Sequence, residues 1–167
     1  KKEMFFEEIK KEKHFNLLEP IEQMKNEWLS VHDDRRILCL SEEWDSASMW
    51  DRYSDANTGV VFEFGCIDQL DSAWLIAKPI YYIDGKLKCN TTEGFAELML
   101  YSPRQMAILI EEERTYTKTT DWEAEKEWRI SSWKRKHESG VYSDYGFNKY
   151  ELFSVTFGVR TKEEDRK

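Results

Sequence analysis

Glycine is scarce in this 167-residue chain, and the few glycines do not form a phosphate-binding motif. None of the seven is spaced as GxGxxG or GxxxxGK, the patterns that let backbone amides approach a nucleotide phosphate. The GxSxG segment that marks the nucleophile of α/β-hydrolases is also missing. A Rossmann dehydrogenase, a P-loop NTPase and a hydrolase of that fold are therefore excluded.

Disulfide and metal-binding patterns are missing as well. The three cysteines, Cys39, Cys66 and Cys89, are odd in number and lie apart without a CxxC pair, so the sequence indicates neither a disulfide framework nor a clustered zinc site. The three histidines occur without HExxH or a neighbouring cysteine, and we expect no metal. We interpret Cys39 as a core residue and expect a reducing, cytoplasmic location.

Long apolar runs and an excess of positive charge are also absent. Runs such as residues 73–77 are far shorter than the ~20 residues that cross a bilayer, so we predict no membrane span and no signal peptide. Acidic residues outnumber basic ones, 33 to 25, for a net charge of -8, which disfavours nucleic acid as a partner. We interpret the basic run 134–137, beside Trp133, as a solvated loop.

The chain is nevertheless rich enough in apolar side chains to fold. Hydrophobic residues make up 40% and aromatic residues 14% of the sequence, which excludes a disordered acidic tail. Helical and strand patterns alternate, and we predict an α+β fold, with a mixed, mostly antiparallel sheet and packed helices in a single domain. Within it we expect an N-terminal helical segment over 1–35, an α+β core over 36–160 and a solvated tail over 161–167.

Apolar spacing predicts where the helices and strands lie. Helices are expected over Lys2–Leu29, broken near Glu19-Pro20, over Trp44–Tyr53 with Asp45 or Ser46 as N-cap, over Asp68–Ala77, and over Glu93–Arg114 with a new segment starting at Ser102-Pro103. Strands are expected at Arg36–Ser41, which we predict to be buried, and at Val60–Phe64, Pro79–Ile83, Trp128–Trp133 and Leu152–Phe157. The Asp84-Gly85 pair predicts a hairpin after the third strand.

Two blocks of sequence stand out as motifs. The first joins Ile37–Ser41, Ser48–Asp55 and Gly59–Phe64, and the second joins Lys118 to Trp122–Ile130. They resemble the CFS strand end, the MW..YA..H.G turn and the K...W..E.EWR segment of a bacterial family known as domain of unknown function 2971. The resemblance implies a bacterial protein whose gene lies near mobile elements or defence genes, and it supplies no reaction.

Further matches and two departures complete the resemblance. Pro79–Tyr82 and Val155–Gly158 also match the family, so that the likeness extends from Ile37 to Arg160. Leu40 stands where the family usually has an aromatic residue, and Asn57 stands near its usual histidine.

Three charged residues, Glu125, Glu127 and Arg129, alternate around the start of the strand predicted at Trp128–Trp133. We expect their side chains to project to one side of that strand. Two carboxylates on one face repel each other unless a cation or a sugar hydroxyl lies between them. Either this is an edge strand with cross-paired charges, or the carboxylates are catalytic. The spacing is similar to the Glu-x-Glu pair of ADP-ribosyltransferases, where the last glutamate holds a ribose hydroxyl and stabilises an oxocarbenium-like transition state. That similarity implies NAD as a candidate cofactor or substrate.

Other residues are candidates for ligand binding. Trp50 and Tyr53 lie three apart on a predicted helix and form either a wall for a flat ring or ordinary helix packing. Ser41 either donates to a ligand or caps the following turn. Arg36, or its neighbour Arg35, is the candidate phosphate binder. Lys118 and Trp122, from the second motif block, complete the set.

Two classes of function stay open. The first is an enzyme that acts on a nucleotide, with NAD as the candidate, in a setting of phage defence or mobile elements. The alternative is a non-catalytic sensor or adaptor that recognises a protein or phage component through exposed Trp44, Trp74 and Trp133. The sequence does not indicate the oligomeric state.

Overall fold

A computed structural model describes residues 18–166 of the chain. Its helices are α1 (Leu18–Asp34), α2 (Ala47–Tyr53), α3 (Thr92–Leu98) and α4 (Pro103–Tyr116). Its strands are β1 (Arg35–Ser41), β2 (Val60–Phe64), β3 (Lys78–Pro79), β4 (Tyr81–Ile83), β5 (Thr117–Thr119), β6 (Glu127–Trp133) and β7 (Leu152–Phe157). Short 3-10 helices connect several of them. The predicted α+β fold is confirmed.

The strands form three small sheets. In the first, β6 lies between β1 and β3, and both pairings are antiparallel. In the second, β2 pairs with β7 in antiparallel fashion. The third is a parallel pair of β4 and β5. The prediction of mostly antiparallel pairing is confirmed, and the central place of β6 puts the charged motif in the middle of the largest sheet.

Helices α1 and α4 pack together over the small core. Helix α4 begins where Ser102-Pro103 predicted it, because Ser102 and Gln105 form a reciprocal capping box and Pro103 occupies the first turn. Its inward face buries Met106 and Ala107, and Val31 of α1 is buried as well. This pairing holds β5, which directly follows α4, in place for the site described below.

Helix α1 starts close to the predicted break at Glu19-Pro20. It begins at Leu18, so Pro20 falls in its first turn, where a backbone nitrogen donates no intrahelical hydrogen bond and the missing N–H of proline is not needed. The first of the two predicted N-terminal helices lies outside the described residues.

The hairpin predicted at Asp84-Gly85 is wrong. Strand β4 pairs instead with β5, more than thirty residues further along the chain. Gly85 still makes a tight turn, with φ of +98°, and the Asp84 carboxylate accepts a hydrogen bond from the Thr120 hydroxyl at 2.6 Å. A local turn signal was present, but the strand partner is set by tertiary contacts.

The prediction of a buried first strand is also wrong. β1 lies at the edge of its sheet, and Ile37 and Leu38 are 44% and 47% exposed. Cys39, which we expected in the core, is exposed too. Partial desolvation and the nearby Glu127 carboxylate nevertheless raise the pKa of the Cys39 thiol to about 11.

Two other segments differ from expectation in detail. The helix expected over Asp68–Ala77 is a pair of 3-10 helices, Asp68–Leu70 and Ala73–Ile76, because Asp71 between them adopts a left-handed conformation with φ of 49°. In the predicted tail, Thr161 is buried and its hydroxyl donates to the carbonyl of Thr58 at 2.9 Å. Residues 162–166 are exposed.

Candidate functional site

A sharp turn before β6 brings two glutamates to one lysine. The 3-10 helix Thr120–Glu125 ends at Glu125, Lys126 adopts a left-handed conformation with φ of 41°, and β6 starts at Glu127. The ammonium group of Lys118, on β5, lies 2.6 Å from a carboxylate oxygen of Glu125 and 2.7 Å from one of Glu127. One cation therefore separates the two carboxylates.

Glu125 is buried but faces side chains that reach solvent. It is 6% exposed, and its Oε1 accepts hydrogen bonds from the Tyr53 hydroxyl at 2.9 Å and from Arg52 Nη1 at 3.2 Å. Both partners come from the last turn of α2. Desolvation and the bond to Glu125 raise the pKa of Tyr53, so its hydroxyl stays protonated at neutral pH.

Glu127 is enclosed by cations. It is 5% exposed, and Arg129 donates from Nε to Oε1 at 2.6 Å and from Nη2 to Oε2 at 3.2 Å. Arg129 also donates from Nη1 to the Thr115 carbonyl at 2.5 Å. The Arg129 guanidinium is therefore held in one orientation by Glu127 on one side and by the Thr115 carbonyl on the other.

The ion pairs set the protonation of this group. Burial opposes the charged form of Glu127, but hydrogen bonds from Arg129 and Lys118 outweigh it, and the pKa of Glu127 lies below its usual value. Burial likewise opposes the charge on Lys118, but its two glutamate partners raise its pKa. Lys118 and Glu127 are therefore ionised at neutral pH.

Aromatic rings form the outer rim of the cluster. The Trp122 ring lies under two cations, with Arg52 Cζ at 4.5 Å and Lys118 Nζ at 4.9 Å from its centroid. Trp122 is 36% exposed and Tyr53 is 61% exposed. We call the group of Arg52, Tyr53, Lys118, Trp122, Glu125, Glu127 and Arg129 the ion-pair cluster. Its three cations exceed its two carboxylates by one formal charge, on a protein with a net charge of -8.

The part of the chain that matches a known family contains the whole of this cluster. The sequence model of a family described as "Protein of unknown function (DUF2971)" matches residues 49–130. This region of the chain, just under half of its length, matches the family. Neither the curated proteins nor the solved structures provide a significant match. The matched residues of the DUF2971 region run from α2 to β6 and include every member of the ion-pair cluster.

Most of the residues predicted for the site meet in this DUF2971 region. The structure brings together Glu125, Glu127, Arg129, Tyr53, Lys118 and Trp122. The edge-strand interpretation of the motif is wrong, because β6 is the central strand of its sheet. The same interpretation also expected the charged residues of the motif to pair with each other, and Arg129 does pair with Glu127.

Ser41 touches the cluster through the backbone. Its hydroxyl donates to the Glu125 carbonyl at 2.7 Å and accepts from the Glu43 amide at 2.9 Å. It therefore acts as the cap of the turn after β1, the structural alternative that the sequence left open, and it also ties that turn to the loop before β6.

Two predicted residues lie away from the cluster. Arg36 pairs with Ser132 at the far end of β1, five residues from Ser41, which is roughly 17 Å along a strand. Its guanidinium donates to Ser143 Oγ at 3.2 Å and to the Gly140 carbonyl at 3.0 Å. A phosphate bound at the cluster would not reach it.

Trp50 is the second residue outside the cluster. Its indole N–H donates to the Trp44 carbonyl at 2.7 Å, whereas Tyr53 directs its hydroxyl to Glu125. No ring contact joins Trp50 to Tyr53 among residues 18–166, so the predicted aromatic wall of these two rings does not form. Trp122, and not Trp50, is the tryptophan whose ring contacts Arg52.

Sequence reasoning missed Arg52 and Tyr82. Arg52 lies inside the MWDRY motif, directly before Tyr53, and its place in the last helical turn was the available signal. The Tyr82 hydroxyl accepts a hydrogen bond from the Glu127 amide at 2.8 Å. Nothing in the local sequence around β4 indicated that contact, because it joins residues 45 positions apart.

The cluster lines neither of two shallow, open cavities in the described residues. A cavity of about 330 Å³ adjoins Gln23, Ser102 and Arg104, and one of about 250 Å³ adjoins Trp28 and Cys89. Both are on the side of α1, away from β6. Within residues 18–166, no group of three or more histidine, cysteine or acidic side chains is placed to hold a metal. Nor is any helix there sufficiently long and hydrophobic to span a bilayer.

Proposed function

We propose that this chain is an enzyme that acts on a nucleotide, with NAD as the first candidate, at the ion-pair cluster. The observation that carries the proposal is the bridge from Glu125 through Lys118 to Glu127, flanked by the exposed rings of Trp122 and Tyr53. The bridge supplies fixed charges, and the rings supply flat surfaces. A nucleotide needs both, because its phosphates are anionic and its base and nicotinamide rings are planar.

The proposed reaction is cleavage of the bond between ribose C1′ and the nicotinamide nitrogen. The electron pair of that bond leaves with nicotinamide, which becomes neutral, and C1′ develops an oxocarbenium-like positive charge. Water attacks C1′ and loses a proton, so the products are ADP-ribose, nicotinamide and a proton. A carboxylate held near C1′ stabilises the developing positive charge, and preorganised charges of this kind commonly contribute more than any other effect to catalysis.

The geometry suggests different roles for the two carboxylates. Both oxygens of Glu125 are paired, Oε2 with Lys118 and Oε1 with Tyr53 and Arg52. Tyr53 and Arg52 are exposed side chains that an incoming ribose hydroxyl can displace, so Glu125 is the carboxylate that a ribose hydroxyl would reach. Both oxygens of Glu127 are occupied by Arg129 and Lys118. Glu127 is therefore proposed to position Lys118 and to keep it charged.

The test is release of nicotinamide, measured by chromatography after the full chain is incubated with NAD. We expect Glu125→Gln to lower the rate by about 100-fold or more, as removal of a transition-state contact does elsewhere. Glu127→Gln should lower the rate as well, because Lys118 loses a charged partner that positions it. Glu164→Gln, at a side chain that is 76% exposed, is the matched control and should retain full activity. A parallel incubation with a panel of other nucleotides tests the wider substrate class.

Circular dichroism separates loss of chemistry from loss of fold in these variants. Equal rates in wild type and both cluster variants would contradict the proposed roles. A folded wild-type protein that neither binds nor cleaves any nucleotide would overturn the enzyme proposal altogether.

A role in phage defence or mobile elements is the setting we propose for this activity. The support is the family resemblance, and depletion of NAD is an activity that would halt an infected cell. Nucleotides and NAD are abundant in cytoplasm, which is the location that the reduced, unpaired cysteines favour.

A sensor or adaptor is the second candidate, and one observation favours it. Five apolar side chains share one face of the β2–β7 pair and are all at least 36% exposed: Val60, Phe62, Phe153, Val155 and Phe157. An apolar face of this kind is typical of a protein-binding surface. A folded protein without nucleotide binding or turnover would favour this candidate.

The tryptophans named for the adaptor only partly fit it. Trp44 and Trp133 are exposed, at 61% and 47%. Trp74 is half-buried, because its ring stacks on Phe64 at a centroid distance of 4.3 Å and lies near Phe147. The β2–β7 face is therefore a better candidate surface than the three tryptophans.

A further inference from the structure

Arg52 differs from the other two cations of the cluster in having donors to spare. Arg129 uses all three guanidinium nitrogens for Glu127 and the Thr115 carbonyl, and the single ammonium of Lys118 bridges two carboxylates. Within residues 18–166, the Arg52 side chain donates one hydrogen bond of good geometry, from Nη1 to Glu125, and it also interacts with the Tyr53 hydroxyl. Its five N–H donors therefore exceed the acceptors that contact it.

Arg52 is also the most exposed of the three cations. The side chain of Arg52 is 49% exposed, compared with 22% for Lys118 and 13% for Arg129. An anion that approaches from solvent therefore meets Arg52 before it meets the buried charges. Arg52 and Glu125 form a contact that an exposed ligand can join without entering the core.

Aromatic rings hold the guanidinium in place. Its Cζ lies 4.5 Å from the Trp122 centroid and 6.0 Å from the Tyr53 centroid. Attraction of the cation to a ring face uses no hydrogen-bond donor, and the planar edge of a guanidinium matches two oxygens of a phosphate. A stacked arginine is also better oriented than a free one, so less side-chain entropy is lost when it binds.

We infer that Arg52 binds a phosphate group of the substrate, so that the site selects phosphorylated nucleotides over nucleosides. This rests on the proposed function and deepens it, since it names the diphosphate as the group recognised. Arg52 thereby takes the role that the sequence suggested for Arg36, which lies too far along β1. The excess positive charge of the cluster supports the same assignment, because the protein as a whole carries -8.

The experiment compares binding of ADP and adenosine by titration calorimetry. We expect Arg52→Gln to weaken ADP binding by about 10- to 100-fold, which is the effect of losing a charge-assisted hydrogen bond, and to change adenosine binding less than about 3-fold. Arg52→Lys keeps the positive charge but lacks the paired N–H donors of the guanidinium, so it should give an intermediate loss of ADP affinity. Arg104→Gln is the control, since Arg104 is a 67% exposed arginine paired with Glu27 on the α1–α4 side.

Salt dependence supplies a readout that a purely structural role of Arg52 would not change. Added salt should weaken ADP binding in the wild type, and the dependence should be flatter in Arg52→Gln, because one charge no longer contributes. Equal losses for ADP and adenosine, or an unchanged salt dependence, would overturn the assignment and leave Arg52 as a support for Glu125.

The outcomes also distinguish this inference from the function on which it rests. Wild type that binds no nucleotide would overturn both. Nicotinamide release by the wild type, together with normal ADP affinity in Arg52→Gln, would overturn the role of Arg52 alone.

Discussion

Replacing Lys118 with methionine is the most direct test of the ion-pair cluster. Its ammonium lies 2.6 Å from Glu125 and 2.7 Å from Glu127, and both carboxylates are almost fully buried. Methionine has a similar length but no charge, so the variant retains the packing and removes the cation. Glu125 then keeps Arg52 and Glu127 keeps Arg129, but nothing separates the two negative charges.

The expected loss of stability is large. Breaking a buried ion pair by removing one partner costs about 3–5 kcal/mol, which is a large part of the 5–15 kcal/mol that stabilises a typical domain. With an m-value of about 2 kcal/mol/M in urea, the unfolding midpoint should fall by about 1.5–2.5 M. Lys162→Met is the control, because Lys162 is 75% exposed and lies 3.7 Å from an equally exposed Glu164, and such pairs contribute little.

The effect should depend on pH in a defined direction. The lowered pKa of Glu127 adds stability above the usual carboxyl pKa, and that stability is lost as the pH falls through the folded-state value. The raised pKa of Lys118 adds stability below the usual lysine pKa, and that stability is lost as the pH rises through its folded-state value. Both contributions are present at neutral pH, so the penalty in Lys118→Met should be largest there.

Urea titrations at neutral pH and at about pH 4 check this expectation. At the lower pH, protonation of the carboxylates relieves their repulsion, and the difference between Lys118→Met and wild type should shrink. Equal midpoints for Lys118→Met and Lys162→Met at neutral pH would refute the reasoning, because the two carboxylates would then not need a shared cation.

Two further predictions concern helices α3 and α4. Gly94→Ala should destabilise the protein by about 1–3 kcal/mol, because the added Cβ would lie 1.9 Å from the Lys88 carbonyl oxygen, although alanine normally favours a helix. Thermal unfolding measures the effect, with Gly146→Ala as the control because a Cβ there meets open space. A rise in the Tm of Gly94→Ala would contradict the prediction. Ser102→Ala removes the capping box of α4 and should lower the free energy of unfolding by about 1 kcal/mol. Urea unfolding measures the loss, with Ser139→Ala, at an exposed serine, as the control. Equal midpoints for the two variants would show that the cap contributes nothing to stability.

Much of the local structure was predictable from the sequence. The capping serine and proline at Ser102-Pro103 predicted the start of α4, and the apolar run 152–157 predicted β7 with its observed bounds. These signals are local, since a capping box or an alternating strand is specified within a few residues. The motif that ends in Glu125, Glu127 and Arg129 was found in the same way.

Pairing over long distances was not predictable. The turn at Asp84-Gly85 suggested a hairpin, but β4 pairs with β5 in parallel. The strand pattern of β1 suggested burial, whereas its edge position leaves Ile37 and Leu38 exposed. A sequence pattern specifies how a segment folds, but which segment lies beside it depends on the packing of the whole chain.

The candidate site likewise has features that were predictable from the sequence and features that were not. The sequence by itself determined the fold class, the family resemblance and the acidic motif, because composition, periodicity and motif spacing carry that information. Only the tertiary structure decided that Lys118 lies between the two carboxylates and that Arg52, and not Arg36, stands at the rim. The physical reason is that ion pairs form between side chains that are close in space, and the turn at Lys126 and the pairing of β4 with β5 create that proximity.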